Sequence, residues 1–130
     1  MSDLLALADR VEALTGPCRE TDAQIALAFN LYDRPEDLGC FVDLAEAVVG
    51  GGGQTWAPPA YTASIDAAMA LVPERSWTRL DVWTKDLGGC TASVYLIGRD
   101  IEGGFSAHAA TPATALAAAA LRARAAQVPA

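Results

Sequence analysis

Lysine is almost absent from this sequence. Lys85 is the only one, and eight arginines supply the remaining basic side chains. Sixteen acidic residues oppose these nine basic ones, so the formal net charge is −7. A protein that binds nucleic acid needs a basic stripe to replace the phosphate counterions, and an anionic membrane likewise attracts basic segments. The charge balance argues against both classes, so we predict neither a nucleic-acid partner nor a membrane partner.

Cysteine and histidine are also scarce, with three cysteines and one histidine in the whole chain. Cys18, Cys40 and Cys90 lack the paired short spacings of a structural zinc site, even when His108 is added. An odd number of widely spaced cysteines gives no disulfide framework. We therefore predict no metal and no cofactor, and we interpret the cysteines as small apolar packing residues.

Long apolar runs are missing as well. No stretch approaches the roughly 18 uninterrupted apolar residues that a transmembrane helix requires. The first segment, Met1–Leu14, contains several acidic residues and lacks the basic start and continuous apolar run of a signal peptide. The sequence therefore predicts a cytoplasmic protein.

Alanine, by contrast, is abundant. It occupies 28 of the 130 positions, and 52% of all residues are hydrophobic, which is enough to build a core. A chain of this length typically forms one domain, so residues 1–130 are assigned to a single domain. Many alanines fall in a predicted helix, Thr111–Ala126, in which Thr111 is the cap and Pro112 the first residue. Few large side chains occur in this helix, which suits close packing on a sheet.

Apolar residues at helical spacing predict three further helices. A shorter segment, Phe41–Val49, is also interpreted as helical, and we interpret the Gly50–Gly53 tract after it as a flexible linker. Trp56 stands in a proline-rich stretch that we expect to form a short edge strand at most. The three helices are predicted over Asp3–Leu14, over Glu20 or Asp22 to Leu31, and from the N-cap Ser64 to the residue before Pro73.

The spacing of apolar residues changes in the second half of the chain, from the helical period of about 3.6 to the alternation typical of strands. Trp77–Lys85 and Thr91–Arg99 alternate apolar and polar residues on either side of a Gly-Gly turn, which predicts a β-hairpin. Phe105–His108 is expected to add a third strand. A hairpin alone is marginally stable, so helices must cover it. The sequence thus predicts an α+β fold, a small antiparallel sheet between helical layers in an α-β-α sandwich.

No pattern of catalytic residues stands out. The Gly50–Gly53 tract is not followed by the Lys-Ser/Thr of a phosphate-binding loop. His108 and Ser106 share a strand face and Asp100 is near in sequence, yet no nucleophile elbow is present. Cys90 at the hairpin turn has no neighbouring cation to activate it. Loop acidic pairs such as Asp100 and Glu102 show no calcium-binding spacing, so each of these features is interpreted as structural.

One strand offers a better candidate site. Trp77, Arg79, Asp81 and Trp83 alternate along it, so they share one face of the hairpin, and Tyr95 is expected to lie across from them. Tryptophan and arginine on a common face can stack a base and hold a phosphate, and they also dominate protein–protein hot spots. Alternatively, this face is core, covered by a helical layer. The candidate binding residues are Trp77, Arg79, Trp83, Arg75, Arg99 and Tyr95.

Three segments resemble a known family. They are LLALADRVEALTGPCRETDAQIAL (Leu4–Leu27), WAPPAYTASIDAAMALVPER (Trp56–Arg75) and TPATALAAAALRARAAQ (Thr111–Gln127). Together they resemble small phage and prophage proteins, of the alphaproteobacterial type, that contain a phage ABA sandwich domain. The resemblance implies two helical layers around a sheet and a phage accessory protein in the host bacterial cytoplasm. It implies no catalytic residues.

Three hypotheses of function follow from these observations. The first is a non-catalytic accessory protein that binds a host protein, for example to inhibit a defence system. The second is a homo-oligomer that sequesters a small nucleotide signal through the tryptophan and arginine residues of the hairpin. The third is an enzyme that processes such a nucleotide, and the shortage of general-base candidates counts against it.

Overall fold

The computed structural model describes residues 2–33, 41–43, 48–51, 54–56, 59–82, 89–97 and 104–127. None of the described helices is both long and apolar enough to cross a membrane. The helices are α1 (Ser2–Glu12), α2 (Arg19–Asp33), α3 (Ile65–Met69) and α4 (Pro112–Gln127). The strands are β1 (Phe41–Asp43), β2 (Val48–Gly51), β3 (Gln54–Trp56), β4 (Ser76–Val82), β5 (Cys90–Leu96) and β6 (Phe105–Ala109).

The strands β4, β5 and β6 form an antiparallel sheet in that order. In its register, Trp77 lies opposite Tyr95, and Ser93 lies opposite both Arg79 and Ser106. The predicted hairpin and its third strand are therefore confirmed, and with them the α+β fold class. Alternation along β5 places Ala92 and Val94 in the core, while their neighbours point to the other side of the sheet.

Helix α4 lies at the centre of the molecule. It packs against β5 and β6 on one side, and against α1 and α3 on others. Every residue from Ala113 to Leu121 is buried. Alanine makes this possible, because a methyl group lets a helix approach its neighbours closely and loses no side-chain entropy on burial. Leu116 and Leu121 supply the large apolar side chains of this helix.

Two helix starts match the sequence prediction. The Thr111 hydroxyl accepts a hydrogen bond from the backbone N–H of Thr114 at 3.2 Å, which is the contact expected of an N-cap before Pro112. Ser64 caps α3 in the same way by accepting from the N–H of Ala67. Each cap satisfies a backbone donor that the first helical turn leaves without a partner.

A buried carboxylate joins α2 to the segment before α3. Asp22 is fully buried, and its Oδ1 accepts hydrogen bonds from the Thr62 backbone N–H and hydroxyl, both at 2.8 Å. Its Oδ2 lies 2.8 Å from the guanidinium of Arg19. The carboxylate is thereby satisfied inside the protein. Burial, followed by the negative charge of Asp22, raises the pKa of Tyr61 above its ordinary value.

A second sheet lies where the sequence analysis predicts a helix. The strands β1, β2 and β3 pair antiparallel in that order, and α2 lies against β1 and β2. The helix prediction for Phe41–Val49 is therefore wrong at 41–43 and 48–49, because β-branched valines and adjacent glycines disfavour a helix. The linker interpretation is also wrong for Gly50 and Gly51, which belong to β2. Gly52 and Gly53 lie outside the described residues.

Candidate functional site

The β4–β5–β6 sheet has one face against the helices and one face open to solvent. On the covered face, Ala92, Val94 and Ala107 are buried and contribute to the same core as α4. Among the described elements, α4 and α1 are the helices that contact this sheet. We call the opposite side the open face. Its side chains come from Trp77, Arg79, Asp81, Thr91, Ser93, Tyr95, Ser106 and His108.

An aromatic pair occupies one end of the open face. The rings of Trp77 and Tyr95 stack with centroids 4.0 Å apart and planes 13° from parallel. Trp77 nevertheless remains 53% exposed. Gly104 adjoins the pair with a positive φ of 61°, and a Cβ there would lie 2.7 Å from Cδ1 of Tyr95. Glycine at this position thus lets the start of β6 lie directly beside the Tyr95 ring.

Arginine and two serines form the middle row of the open face. The Arg79 Nε lies 3.1 Å from a carboxylate oxygen of Asp81, two residues along the same strand. Both side chains are well exposed, at 65% and 41%, so water screens this ion pair and it adds little to stability. Across the sheet, the hydroxyls of Ser93 and Ser106 share a hydrogen bond of 2.9 Å. The row therefore offers solvent a cation, an anion and the Ser106 hydroxyl, whereas Ser93 is buried.

The third row of side chains across the open face, beyond the aromatic pair and the Arg79 row, contains the single histidine of the sequence. Asp81 lies opposite Thr91, which in turn lies opposite His108. The Thr91 hydroxyl shares a 3.1 Å hydrogen bond with His108 Nδ1. Ser106 lies on the same face of β6 as predicted, but its hydroxyl bonds to Ser93 instead of the imidazole. Asp100 lies outside the described residues.

An ion pair on the covered side fixes the position of β6. Arg122 of α4 donates to both carboxylate oxygens of Glu12 at 2.9 and 3.0 Å, and it also reaches Asp9 and the Ser106 carbonyl oxygen. Glu12 accepts in addition from the backbone N–H of His108 at 2.8 Å. The hydrogen bonds from Arg122 lower the pKa of Glu12 and raise that of Arg122, although burial opposes both shifts. This Glu12–Arg122 clamp holds α1, α4 and β6 together.

A shallow groove lies at the end of the sheet near His108. It has a volume of about 430 Å³ and is lined by Glu12, Leu14, Thr15, Gly89 and His108, among others. In the part of the chain that the structure describes, no group of three or more His, Cys, Asp or Glu side chains could hold a metal ion. Cys90 does not extend this groove, because its thiol is buried in β5, as the packing interpretation predicts.

The structure brings together some of the predicted site residues. Trp77, Arg79 and Tyr95 lie on one face, and the interpretation of this face as core is wrong for the exposed Trp77 and Arg79. Arg75 is exposed just before β4 with a positive φ of 56°, and its carbonyl oxygen accepts from the N–H of Ile97. Trp83 and Arg99 lie outside the described residues.

Sequence reasoning missed the polar half of the open face. Thr91, Ser93 and Ser106 alternate with apolar residues, so their shared face was readable from the pattern, but their partners depend on register. Nothing local points to the Glu12–Arg122 clamp, because its two residues stand 110 positions apart.

Comparisons with known proteins find no similar protein. No protein-family model, no curated protein and no solved structure matches this chain. Any assignment of function therefore depends on the described geometry and on the sequence itself.

Proposed function

We propose that this chain is a non-catalytic accessory protein that binds a host protein through the open face of the β4–β5–β6 sheet. The observation that carries the proposal is the stacked Trp77–Tyr95 pair. A tryptophan that is half exposed and already ordered by a neighbouring ring offers a large apolar contact at a low entropic cost. Such aromatic residues, together with arginine, supply most of the binding energy in protein interfaces.

The remainder of the open face suits the rim of an interface. Ser106, Thr91 and His108 present hydroxyl and imidazole groups that can exchange hydrogen bonds with a partner, whereas Ser93 is buried. The face is a sheet surface and is polar around its aromatic end. These features support a protein partner, because a polar surface with one aromatic anchor matches the usual arrangement of an apolar core inside a polar rim.

The biological setting is a further part of the proposal. The three segments that resemble phage ABA sandwich proteins support a phage or prophage accessory role in the host bacterial cytoplasm, with a defence component of the host as the bound factor. The net charge of −7 supports a protein target over a nucleic acid.

A small nucleotide is the second candidate ligand. Trp77 could stack a base and Arg79 could contact a phosphate, and a homo-oligomer could close the site. Asp81 already lies beside Arg79, however, and would repel an incoming phosphate. This ion pair is why a protein partner is the first proposal.

A capture experiment tests the proposed function. Tagged wild-type protein and the Trp77→Ala variant are each exposed to host lysate, and any captured protein is then purified and titrated against both. Met69→Ala serves as a matched control, because Met69 is an exposed apolar residue on α3. We expect the purified partner to bind wild type and the control, and to bind Trp77→Ala at least about tenfold more weakly.

Three outcomes contradict the proposal. Equal binding by Trp77→Ala and wild type would place the interface elsewhere. Thermal stabilisation by cyclic nucleotides or ADP-ribose that disappears in Arg79→Ala, with no purified protein partner, would favour the nucleotide candidate instead. Turnover of any nucleotide by the pure protein would show that the chain is an enzyme.

A further inference from the structure

The outer edge of β4 has the features of a self-complementary strand. β4 is seven residues long, contains no proline, and pairs with β5 on one side. In the described part of the chain, no strand pairs with its other side. An exposed edge of this length is a template for another strand, and most proteins protect such an edge.

The hydrogen-bonding direction along β4 follows from one contact. The N–H of Ile97 donates to the carbonyl oxygen of Arg75 at 2.8 Å, and the register, continued one residue beyond Ser76 and Leu96, places these two residues opposite each other. In an antiparallel ladder, residues that bond to one neighbour alternate with residues whose N–H and C=O point away from it. Trp77, Arg79 and Asp81 therefore bond to β5. The backbone groups of Thr78, Leu80 and Val82 point to the outer edge.

On β4, Leu80 stands between a positive and a negative side chain. Arg79 stands one position before it and Asp81 one position after it, and β-branched Thr78 and Val82 stand two positions away. If a second copy pairs antiparallel with the twofold axis at Leu80, Arg79 lies directly opposite Asp81 of the second copy, and Asp81 lies opposite the second Arg79. Tryptophan also stands three residues away on either side in the sequence, although Trp83 lies outside the described residues.

The same register satisfies the backbone. Leu80 pairs with Leu80 of the second copy as a hydrogen-bonded pair, and Thr78 pairs with Val82 in the same way, so that the outward N–H and C=O groups find partners. Arg79 and Asp81 then form the non-hydrogen-bonded pairs, in which side chains come closest and opposite charges attract. Val82, which is 63% exposed in the single chain, loses part of its contact with water.

We propose that two copies of this chain associate through antiparallel pairing of their β4 edges about Leu80. The two three-stranded sheets then become one six-stranded sheet, and the two open faces become continuous. This inference goes beyond the proposed function, because it concerns the edge of the sheet and holds whether or not the open face binds a host protein. A short strand pair buries little apolar surface, so we expect a reversible dimer.

Charge reversal at two positions tests the register. Arg79→Asp and Asp81→Arg each place like charges opposite one another at both symmetric positions. We expect sedimentation velocity and light scattering to give twice the chain mass of 13.5 kDa for the wild type. Each single variant should have a dimer dissociation constant raised at least about tenfold. The double variant Arg79→Asp/Asp81→Arg should recover the dimer. Circular dichroism checks that every variant is folded.

Mixing the two single variants is the decisive control. An Arg79→Asp chain and an Asp81→Arg chain place opposite charges across both positions, so an equimolar mixture should form a heterodimer although neither variant dimerises alone. Loss of the ion pair within one chain cannot produce this recovery. A wild type that stays monomeric at every concentration tested would overturn the proposal, as would dimers that both single variants still form with wild-type affinity. A failed recovery in the mixture would overturn the register about Leu80.

Discussion

At the scale of single residues, the Glu12–Arg122 clamp joins α1, α4 and β6 through one ion pair. A guanidinium and a carboxylate meet through two parallel hydrogen bonds, the geometry in which an ion pair is strongest. The two side chains are only 20% and 31% exposed, so water screens the pair less than it screens Arg79 and Asp81. The backbone N–H of His108 adds a third donor to Glu12.

The clamp makes stability depend on pH. Because the folded protein holds the pKa of Glu12 below its ordinary value of 4.5, the ionised form stabilises the fold above that value. This contribution is lost as the pH falls through the lowered, folded-state pKa. We expect Glu12→Gln to lower the free energy of unfolding at pH 7 by about 1 kcal/mol.

Chemical denaturation at several pH values checks this prediction. The difference between wild type and Glu12→Gln should shrink as the solution is acidified below the ordinary pKa. Glu74→Gln is the matched control, because Glu74 is exposed and is expected to have little effect at any pH. A constant difference across the acidic range would contradict the assignment of the pKa shift to this clamp.

Asp22 provides a second prediction at this scale. Asp22→Asn keeps the shape of the side chain but replaces one acceptor oxygen by an NH₂ donor. Because Thr62 and Arg19 both donate to Asp22, this new donor faces another donor on either side, and one hydrogen bond is lost. We expect the free energy of unfolding to fall by about 2 to 3 kcal/mol, measured by urea denaturation. Asp66→Asn, at an exposed position of α3, should change it by less than about 0.5 kcal/mol. Equal effects of the two substitutions would show that the buried contacts of Asp22 stabilise the fold no more than an exposed carboxylate does.

At the scale of elements, α4 sets the tightest packing constraint. Its buried alanines leave no room for a larger side chain, since both the sheet and the other helices lie against it. Ala118→Leu should lower the free energy of unfolding by about 1 to 3 kcal/mol, measured as a shift in the denaturation midpoint. Ala126→Leu, on the exposed end of the same helix, should be close to neutral. A neutral Ala118→Leu would mean that α4 is not packed on every side.

The sequence predicts these elements unevenly. α4 and the β4–β5 hairpin are recognisable because each has a strong local pattern, a capped alanine run in one case and alternation around Gly-Gly in the other. The predicted first helix ends two residues too late, because Leu14 already belongs to a turn in which its N–H donates to the carbonyl oxygen of Val11. The short edge strand expected at Trp56 is present as β3. The rest of this sheet was missed because its strands are three or four residues long, too short for a period to show.

The site was predicted in part for a similar reason. Alternation along one strand correctly places Trp77 and Arg79 together, since side-chain direction in a strand is a local property. Whether that face is covered depends on distant helices, so the core interpretation could not be rejected from the sequence. The pairing of Ser93 with Ser106 and of Thr91 with His108 required the register of three strands.

At the scale of the whole molecule, the described elements form layers with α4 in the middle. The sheet lies on one side of it and α1 and α3 lie on others. Amide hydrogen exchange should therefore show the slowest exchange in α4 and β5, at rates set by global unfolding. Exchange at the outward amides of β4, such as that of Leu80, should be fast in dilute solution. Faster exchange in α4 than along β4 would contradict this arrangement.

The position of α4 along the chain has a consequence for synthesis. Every other described element precedes α4, yet α1, α3 and the β4–β6 sheet all pack against it. During synthesis, α1, α3 and the β4–β6 sheet therefore leave the ribosome before α4 does. Until α4 emerges, the apolar surfaces that these elements bury against it have nothing to pack on. Folding on the ribosome should for this reason be abrupt and late, because the core closes only after α4 has left the ribosome.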